Sequence, residues 1–236
     1  MSEKETDVYF SLNRKKLSTG VFKKSDHSLI FFNEENININ SLNEYTNFEI
    51  LRKPIEKNIK IIEKNINSFI TNIFLMIETD EMISIYISLM KKLDDKKIQQ
   101  KDIKYLIQDA KLQILKAYPE KDIIHIIVKK YVVNDLDYNY VPIDINCNKI
   151  SIDIQFICFS KNLIKKIEIL FNNFQISVDR IICSKYAKSF VNNVNQSNIC
   201  QIGHNLNNGL NKQEVLIVPK KIEKKGFFEK LFHFFK

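Results

Sequence analysis

Four histidines (27, 125, 204 and 233), four cysteines (147, 158, 183 and 200) and scattered aspartates are the residues here whose types could do chemistry. Nucleophilic catalysis needs a serine or cysteine beside a histidine, and a metal needs several ligands brought together. Neither pattern is written in the spacing. The cysteines form no C-x-x-C pair and have no histidine at metal-ligand spacing, so they read as small apolar core residues of a reducing compartment. His125 alternates with isoleucines and reads as a satisfied strand histidine, not a base. Asp135 and Asp137 share a polar loop with Tyr138 and Tyr140, where turn aspartates are the simpler account. Asp144 and Asp153 fall in separate extended segments without an implied partner. The expectation is a protein that is not an enzyme, with no catalytic residues, no bound cofactor and no metal.

A different chemistry is concentrated at the C-terminus. From Lys220 to Lys236 there are six lysines and two glutamates, half of the chain's net charge of +8. On a helical wheel Phe227, Phe228, Leu231, Phe232, Phe234 and Phe235 fall within about 160° of arc. Glu229, Lys230, His233 and Lys236 take the other side, and Lys220, Lys221, Lys224 and Lys225 come just before. Aromatic area on one face with lysines beside it is how an interfacial helix binds anionic lipid. The expected membrane-binding set is Phe227, Phe228, Leu231, Phe232, Phe234, Phe235, Lys224, Lys225 and Lys230. The other reading of the same face is a helix docked on its own domain or in a partner's groove.

Composition narrows what must position such a tail. Hydrophobic residues make up 44% of 236 residues, enough for a real core. Only four glycines and four prolines occur, which argues against glycine-rich phosphate loops and against a turn-rich β-sandwich. Isoleucine, lysine and asparagine supply 98 residues, so a lysine counts as evidence only where lysines cluster. With three arginines (14, 52 and 180) and no basic stripe outside the tail, nucleic acid is not an expected partner. The N-terminus is polar and acidic, so no signal peptide is expected. The longest uncharged apolar-leaning stretch, 65–77, is too short for a membrane span of about 20 apolar residues.

The elements follow from periodicity. Residues 7–13, 17–24 and 27–32 read as three short strands. Pro54 fits the first turn of a helix with apolar residues at 55, 59, 62, 66, 69, 70 and 73, running to about Thr79; Ile73–Ile77 reads alternatively as extended. Ile83–Leu89 alternates as a strand, Lys91–Lys101 is a charged link, and Asp102–Lys116 is a helix closed by Pro119. Strands are expected at 123–133, 141–145 and 150–159. Ser160 caps a helix that stops at Asn172–Asn173. A strand at 176–183 and a helix at 184–194 follow. Residues 195–212 are polar and read as linker, with Val215–Val218 a last strand or extended chain. Three sequential strands followed by strands alternating with helices give an α/β fold, a mixed sheet flanked by helices.

This order, with its local sequences, resembles the first half of FtsA, the actin-like bacterial cell division family. Ile83-Ser-Ile-Tyr-Ile-Ser-Leu89 resembles the strand before that family's inserted subdomain, and Gln100-Lys-Asp-Ile-Lys-Tyr-Leu-Ile-Gln-Asp-Ala110 its helix. Ile124-His-Ile-Ile-Val-Lys-Lys-Tyr-Val-Val-Asn134 resembles the strand after it. Ile152–Ile157, Asn162–Glu168 and Ile176–Ile182 continue in the same order, and the basic, phenylalanine-rich end resembles the family's tail. The resemblance implies a ribonuclease-H-like, actin-like first lobe at 7–90 and 160–194. It further implies an inserted α+β subdomain at 91–159, a linker at 195–225 and an amphipathic membrane helix at 226–236.

Where the family holds nucleotide phosphate with an aspartate and an Ile-Gly-Thr turn, this chain has Ser11-Leu12-Asn13-Arg14. Only about 40 residues follow Val194, so the second lobe has no counterpart. The resemblance therefore implies a scaffold peripheral to the cytoplasmic face of the inner membrane, at the division site, without ATP binding. Other divisome proteins would dock on the insert, self-association is open, and FtsZ contact is in doubt because that contact lies in the missing lobe. The alternative is a PilM-like adaptor of a pilus or secretion assembly, which shares the lobe but lacks such a tail.

Overall fold

The computed structural model describes residues 5–37, 39, 45–191 and 198–215. A first sheet is built on β1 (Thr6–Leu12), which pairs antiparallel with β2 (Lys16–Lys23) and parallel with β4 (Asn72–Ile77). Outside these lie β3 (Leu29–Asn36), antiparallel to β2, and β9 (Ser177–Cys183), parallel to β4. The order β3-β2-β1-β4-β9, three sequential antiparallel strands and then two parallel ones, is the mixed sheet expected of the first lobe. The parallel strands are reached by crossovers, so the central one, β4, is covered on both faces and is apolar almost throughout. Asn-Ile-Phe-Leu-Met-Ile of β4 is that kind of run.

One face of the sheet carries α1 (Tyr45–Ile66) and α3 (Lys161–Asn172). Leu51, Ile55, Ile59 and Ile62 of α1 and Leu163, Ile167 and Phe171 of α3 pack there on Val8, Phe10, Leu12, Ile73, Leu75 and Ile77. The helix does not begin at Pro54: it starts nine residues earlier, because Leu51 and Ile55 are both fully buried and their packing overrides the proline's preference for a first turn. It also stops well before Thr79. Asn67 turns left-handed (φ 49°), and Phe69, expected on the buried face, is 80% exposed. Ile73–Ile77 is strand, as the alternative reading had it.

The second sheet belongs to the insert. β5 (Ile83–Lys97), α2 (Gln100–Ala117), β6 (Lys121–Val133) and β8 (Asn146–Ser160) follow in a strand–helix–strand–strand order, with β7 (Leu136–Tyr138) hairpinned onto β6. The sheet runs β10-β6-β8-β5, and β6 and β5 both pair antiparallel with β8. Ile103, Leu106, Ala110 and Ile114 of α2 close one face over Ile126, Val128, Ile152, Ile154 and Phe156. Two expectations need correction. Ile83–Leu89, expected as the lobe's last strand before the insert, pairs with β8 and not with the first sheet. The charged link is mostly strand as well: Leu93 is buried in the insert core, and Asp94 and Asp95 (φ 51° and 60°) absorb a register shift between Lys92 and Lys96. Residues 141–145, expected as extended strand, pair with no strand.

After β9 comes α4 (Ser184–Lys188), shorter than expected, and then α5 (Ile199–Asn207) and β10 (Glu214–Val215). The linker reading of 195–225 is therefore wrong over 198–215. Asn198 caps α5 by accepting from Gln201 N at 2.8 Å. Cys200, Ile202 and Leu206 are buried on the sheet's other face against Tyr9, Phe22, Met76 and Ile182. Gly203, which composition marked as linker, is a close approach: a Cβ there would lie 2.4 Å from Met76 Sδ.

Candidate functional site

The lobe, the insert and the C-terminal segment meet at one buried carboxylate. Glu214 stands on β10, opposite Ile127 of β6, with its side chain 2% exposed. Cys183 N–H donates to His125 Nε2 at 2.9 Å, so that nitrogen keeps its lone pair and the proton sits on Nδ1. Nδ1 then donates to Glu214 Oε1 at 2.7 Å. Arg180 Nη2 donates to the same oxygen, Tyr186 Oη donates to Oε2 at 3.1 Å, and Asn211 Nδ2 donates to Tyr186 Oη at 2.7 Å. Burial pushes the Glu214 carboxyl up, but the His125 hydrogen bond and the Arg180 charge outweigh it and hold the group below its usual range. Burial holds His125 below its ordinary value against the pull of Glu214. The arrangement is a neutral histidine beside an ionised, charge-paired glutamate. Its hydrogen bonds fix three segments together.

Above this knot a groove of about 520 Å³ runs between the open face of the insert sheet and α4. Ile127, Ile157 and Phe190 supply apolar floor, Tyr86 and Gln155 one wall, and Lys129 and Lys185 basic rims. Alternation explains the wall: odd residues of β5 face α2, so Ser84, Tyr86 and Ser88 face outward, and Tyr86 is 67% exposed. Ser84 Oγ accepts from Gln155 Nε2 at 2.6 Å, and Ser88 Oγ donates to Asp153 at 2.6 Å, which orders this face.

The β1–β2 turn, where the resemblance places nucleotide phosphate, is closed by its own side chains. Asn13 Oδ1 accepts from the Lys15 and Lys16 amides, both at 2.8 Å. Arg14 pairs with Asp80, Lys185 reaches the same carboxylate at 3.5 Å, and Lys188 pairs with Glu78. These pairs tie the turn to the ends of β4 and α4.

A second histidine cluster holds α5. His204, 1% exposed, stacks on Phe22 at 4.3 Å between ring centroids, and its Nε2 meets His27 Nδ1 at 3.1 Å and Asn208 Nδ2 at 3.3 Å. Asp7 lies 4.0 Å from its Nδ1. Burial, and next the His27 charge, bring His204 down to about 4.

His125 is the satisfied strand histidine expected, and all four cysteines are free and buried. Asp135 and Asp137 make ion pairs with Lys149 and Lys130 in a turn where Asn134 and Asp135 take positive φ. Sequence reasoning missed Glu214, Arg180 and Tyr186. Glu214 is 89 residues from His125, and the one local signal was Arg180 itself, one of three arginines, set in a strand. Phe227, Phe228, Leu231, Phe232, Phe234, Phe235, Lys224, Lys225 and Lys230 lie outside the described residues. Among the described residues no three metal-ligating side chains converge, and no helix is long and apolar enough to cross a membrane.

Residues 80–158 match the family model of the SHS2 domain inserted in FtsA. No curated protein matches the chain. Among solved structures it is similar to the PilM–PilN type IV pilus biogenesis complex, at 7% identity and TM-score 0.47, over 77% of this chain and 48% of that one. It is also similar to the cytoplasmic domain of EpsL, an inner-membrane component of the type II secretion system of Vibrio cholerae, at 11% identity and TM-score 0.35, over 77% and 57%. A Bacteroides thetaiotaomicron protein with an actin-like ATPase fold shows 11% identity and TM-score 0.35, over 80% and 57%. The chain thus spans about half the length of these structures. The strand–helix–strand–strand unit with its own sheet is the part of the fold that the 80–158 match covers. Over that span the chain carries an SHS2 domain of the kind inserted in FtsA.

Proposed function

We propose that this protein is a non-catalytic scaffold of bacterial cell division, held at the cytoplasmic face of the membrane by its C-terminal tail. The observation that carries the reading is the match of residues 80–158 to the SHS2 domain inserted in FtsA. Partners dock on the insert. The groove beside α4 suits them: an apolar floor between lysine rims fits an acidic segment bearing apolar side chains. The scaffold works without ATP. This is supported by the β1–β2 turn, where Asn13 and the Arg14–Asp80 pair stand in place of a phosphate-binding carboxylate and glycine. The tail supplies the membrane contact through Phe227, Phe228, Leu231, Phe232, Phe234 and Phe235, with Lys224, Lys225 and Lys230 facing anionic headgroups.

A fluorescent fusion in the native cell tests the reading. The full chain is expected as a band at the division site, and Phe228→Glu/Phe232→Glu is expected to disperse it into the cytoplasm. A polar or uniformly peripheral pattern in dividing cells would overturn the division role and favour a PilM-like adaptor.

A further inference from the structure

β5 ends the insert sheet, so the outer side of a 15-residue strand meets no other strand among the described residues. Native edges are blunted by charge, proline or a bulge. β5 is blunted only in its second half, by Lys91, Lys92, Lys96 and Lys97 and by the left-handed Asp94 and Asp95. Its first half, Ile83-Ser-Ile-Tyr-Ile-Ser-Leu89, has no charge, proline or glycine, and keeps unbroken register with β8. This run also reads nearly the same in both directions about Tyr86. Isoleucines flank it at one residue, serines at two, and isoleucine and leucine at three.

Such a run is its own antiparallel complement. We propose that the chain forms a two-fold symmetric dimer by pairing β5 with β5 of a second copy, Tyr86 opposite Tyr86. Residues opposite one another in an antiparallel pair project to the same face, so this register keeps the sheet's two faces distinct. Tyr86 and the serines stay on the open face. Ile83, Ile85, Ile87 and Leu89, each only partly buried over α2, gain cover from the other copy. A one-residue slip would set Tyr86 against Ile85 and mix the faces. The flanks favour the same register: Met90 falls opposite Met82, and Lys91 and Lys92 fall opposite Glu81 and Asp80. Asp80 already holds Arg14 and Lys185, and Lys91 holds Asp102, so the flanks act as complementary charged patches beside existing pairs. The interface is isologous and closes at two copies.

The dimer rests on β5 and not on the division reading, and its test involves neither membrane nor partner. Sedimentation equilibrium of the full chain is expected to show a monomer–dimer equilibrium. Tyr86→Lys and Tyr86→Asp each set like charges across the axis and should weaken association by about tenfold or more. Tyr86 is exposed, so both variants should keep the wild-type circular dichroism and melting. Mixing the two variants sets opposite charges across the axis and should restore dimer. A chain that stays monomeric at every concentration, variants that dimerise like wild type, or a mixture that does not recover would each overturn the proposal.

Discussion

His125 and His204 are both buried, and burial keeps each neutral; on His125 the Cys183 N–H also occupies the nitrogen that a second proton would need, and on His204 the neighbouring His27 adds to the effect. Glu214, Arg180 and Tyr186 surround His125, while His27 and Asp7, itself paired with Lys24, lie beside His204. Burial leads the depression of both, and His204 falls to about 4. The unfolded chain takes up these protons near the ordinary histidine value of about 6.5, so it binds more protons than the folded chain below that pH. Their contribution is therefore fully present above about 6.5 and is lost as pH falls towards the folded values. Glu214, also depressed, acts in the same direction at lower pH. Urea denaturation at a series of pH values should show stability falling between about 6.5 and about 4, and His204→Gln should flatten that slope. A flat wild-type profile would mean that neither ring is held as the geometry describes. From sequence, His125 was legible because alternation put it inside a strand. His204 was not, because its partners are 177 residues and one helical turn away.

At the scale of elements, the pieces most easily read were β6, the chain's densest β-branched run, and α2, whose apolar residues repeat at helical spacing. α1 was misplaced at both ends because its limits are set by contacts, with Leu51 and Ile55 carrying it through Pro54. α5 was read as linker since its buried face is made of Cys200, Ile202, Gly203, His204 and Leu206, and two of these five lack an apolar side chain. Its packing gives a sharp expectation. A chain ended at Val215 should melt like the full protein. One ended at Val191 removes α5 and β10, uncovers Tyr9, Phe22 and Met76, and strips Arg180 and His125 of Glu214. Breaking a buried ion pair alone costs about 3–5 kcal/mol, and a domain has only about 5–15 to lose. The shorter chain should therefore fail to fold by circular dichroism, whereas a true linker would leave both truncations alike.

For the whole molecule, β10, the last described element, is part of the insert sheet. In the proposed dimer two tails then act from one body. A short helix binds weakly alone, and linking two raises the effective concentration of the second. Co-sedimentation with anionic vesicles should pellet the full chain, leave a chain stopped at Lys225 and Phe228→Glu/Phe232→Glu in solution, and show weakened pelleting for Tyr86→Lys. Equal pelleting of all four would remove the tail from the account. By itself the sequence determined the α/β class and the order of most elements, because each rests on local periodicity that nothing distant can alter; the insert was legible only through the resemblance of its local sequences to the FtsA family. Only the tertiary structure decided that β5 belongs to the insert, that 198–215 is packed and not linking, and that one glutamate joins three segments. Those depend on which strands pair and which buried groups must satisfy one another, and the partners lie tens of residues apart along the chain.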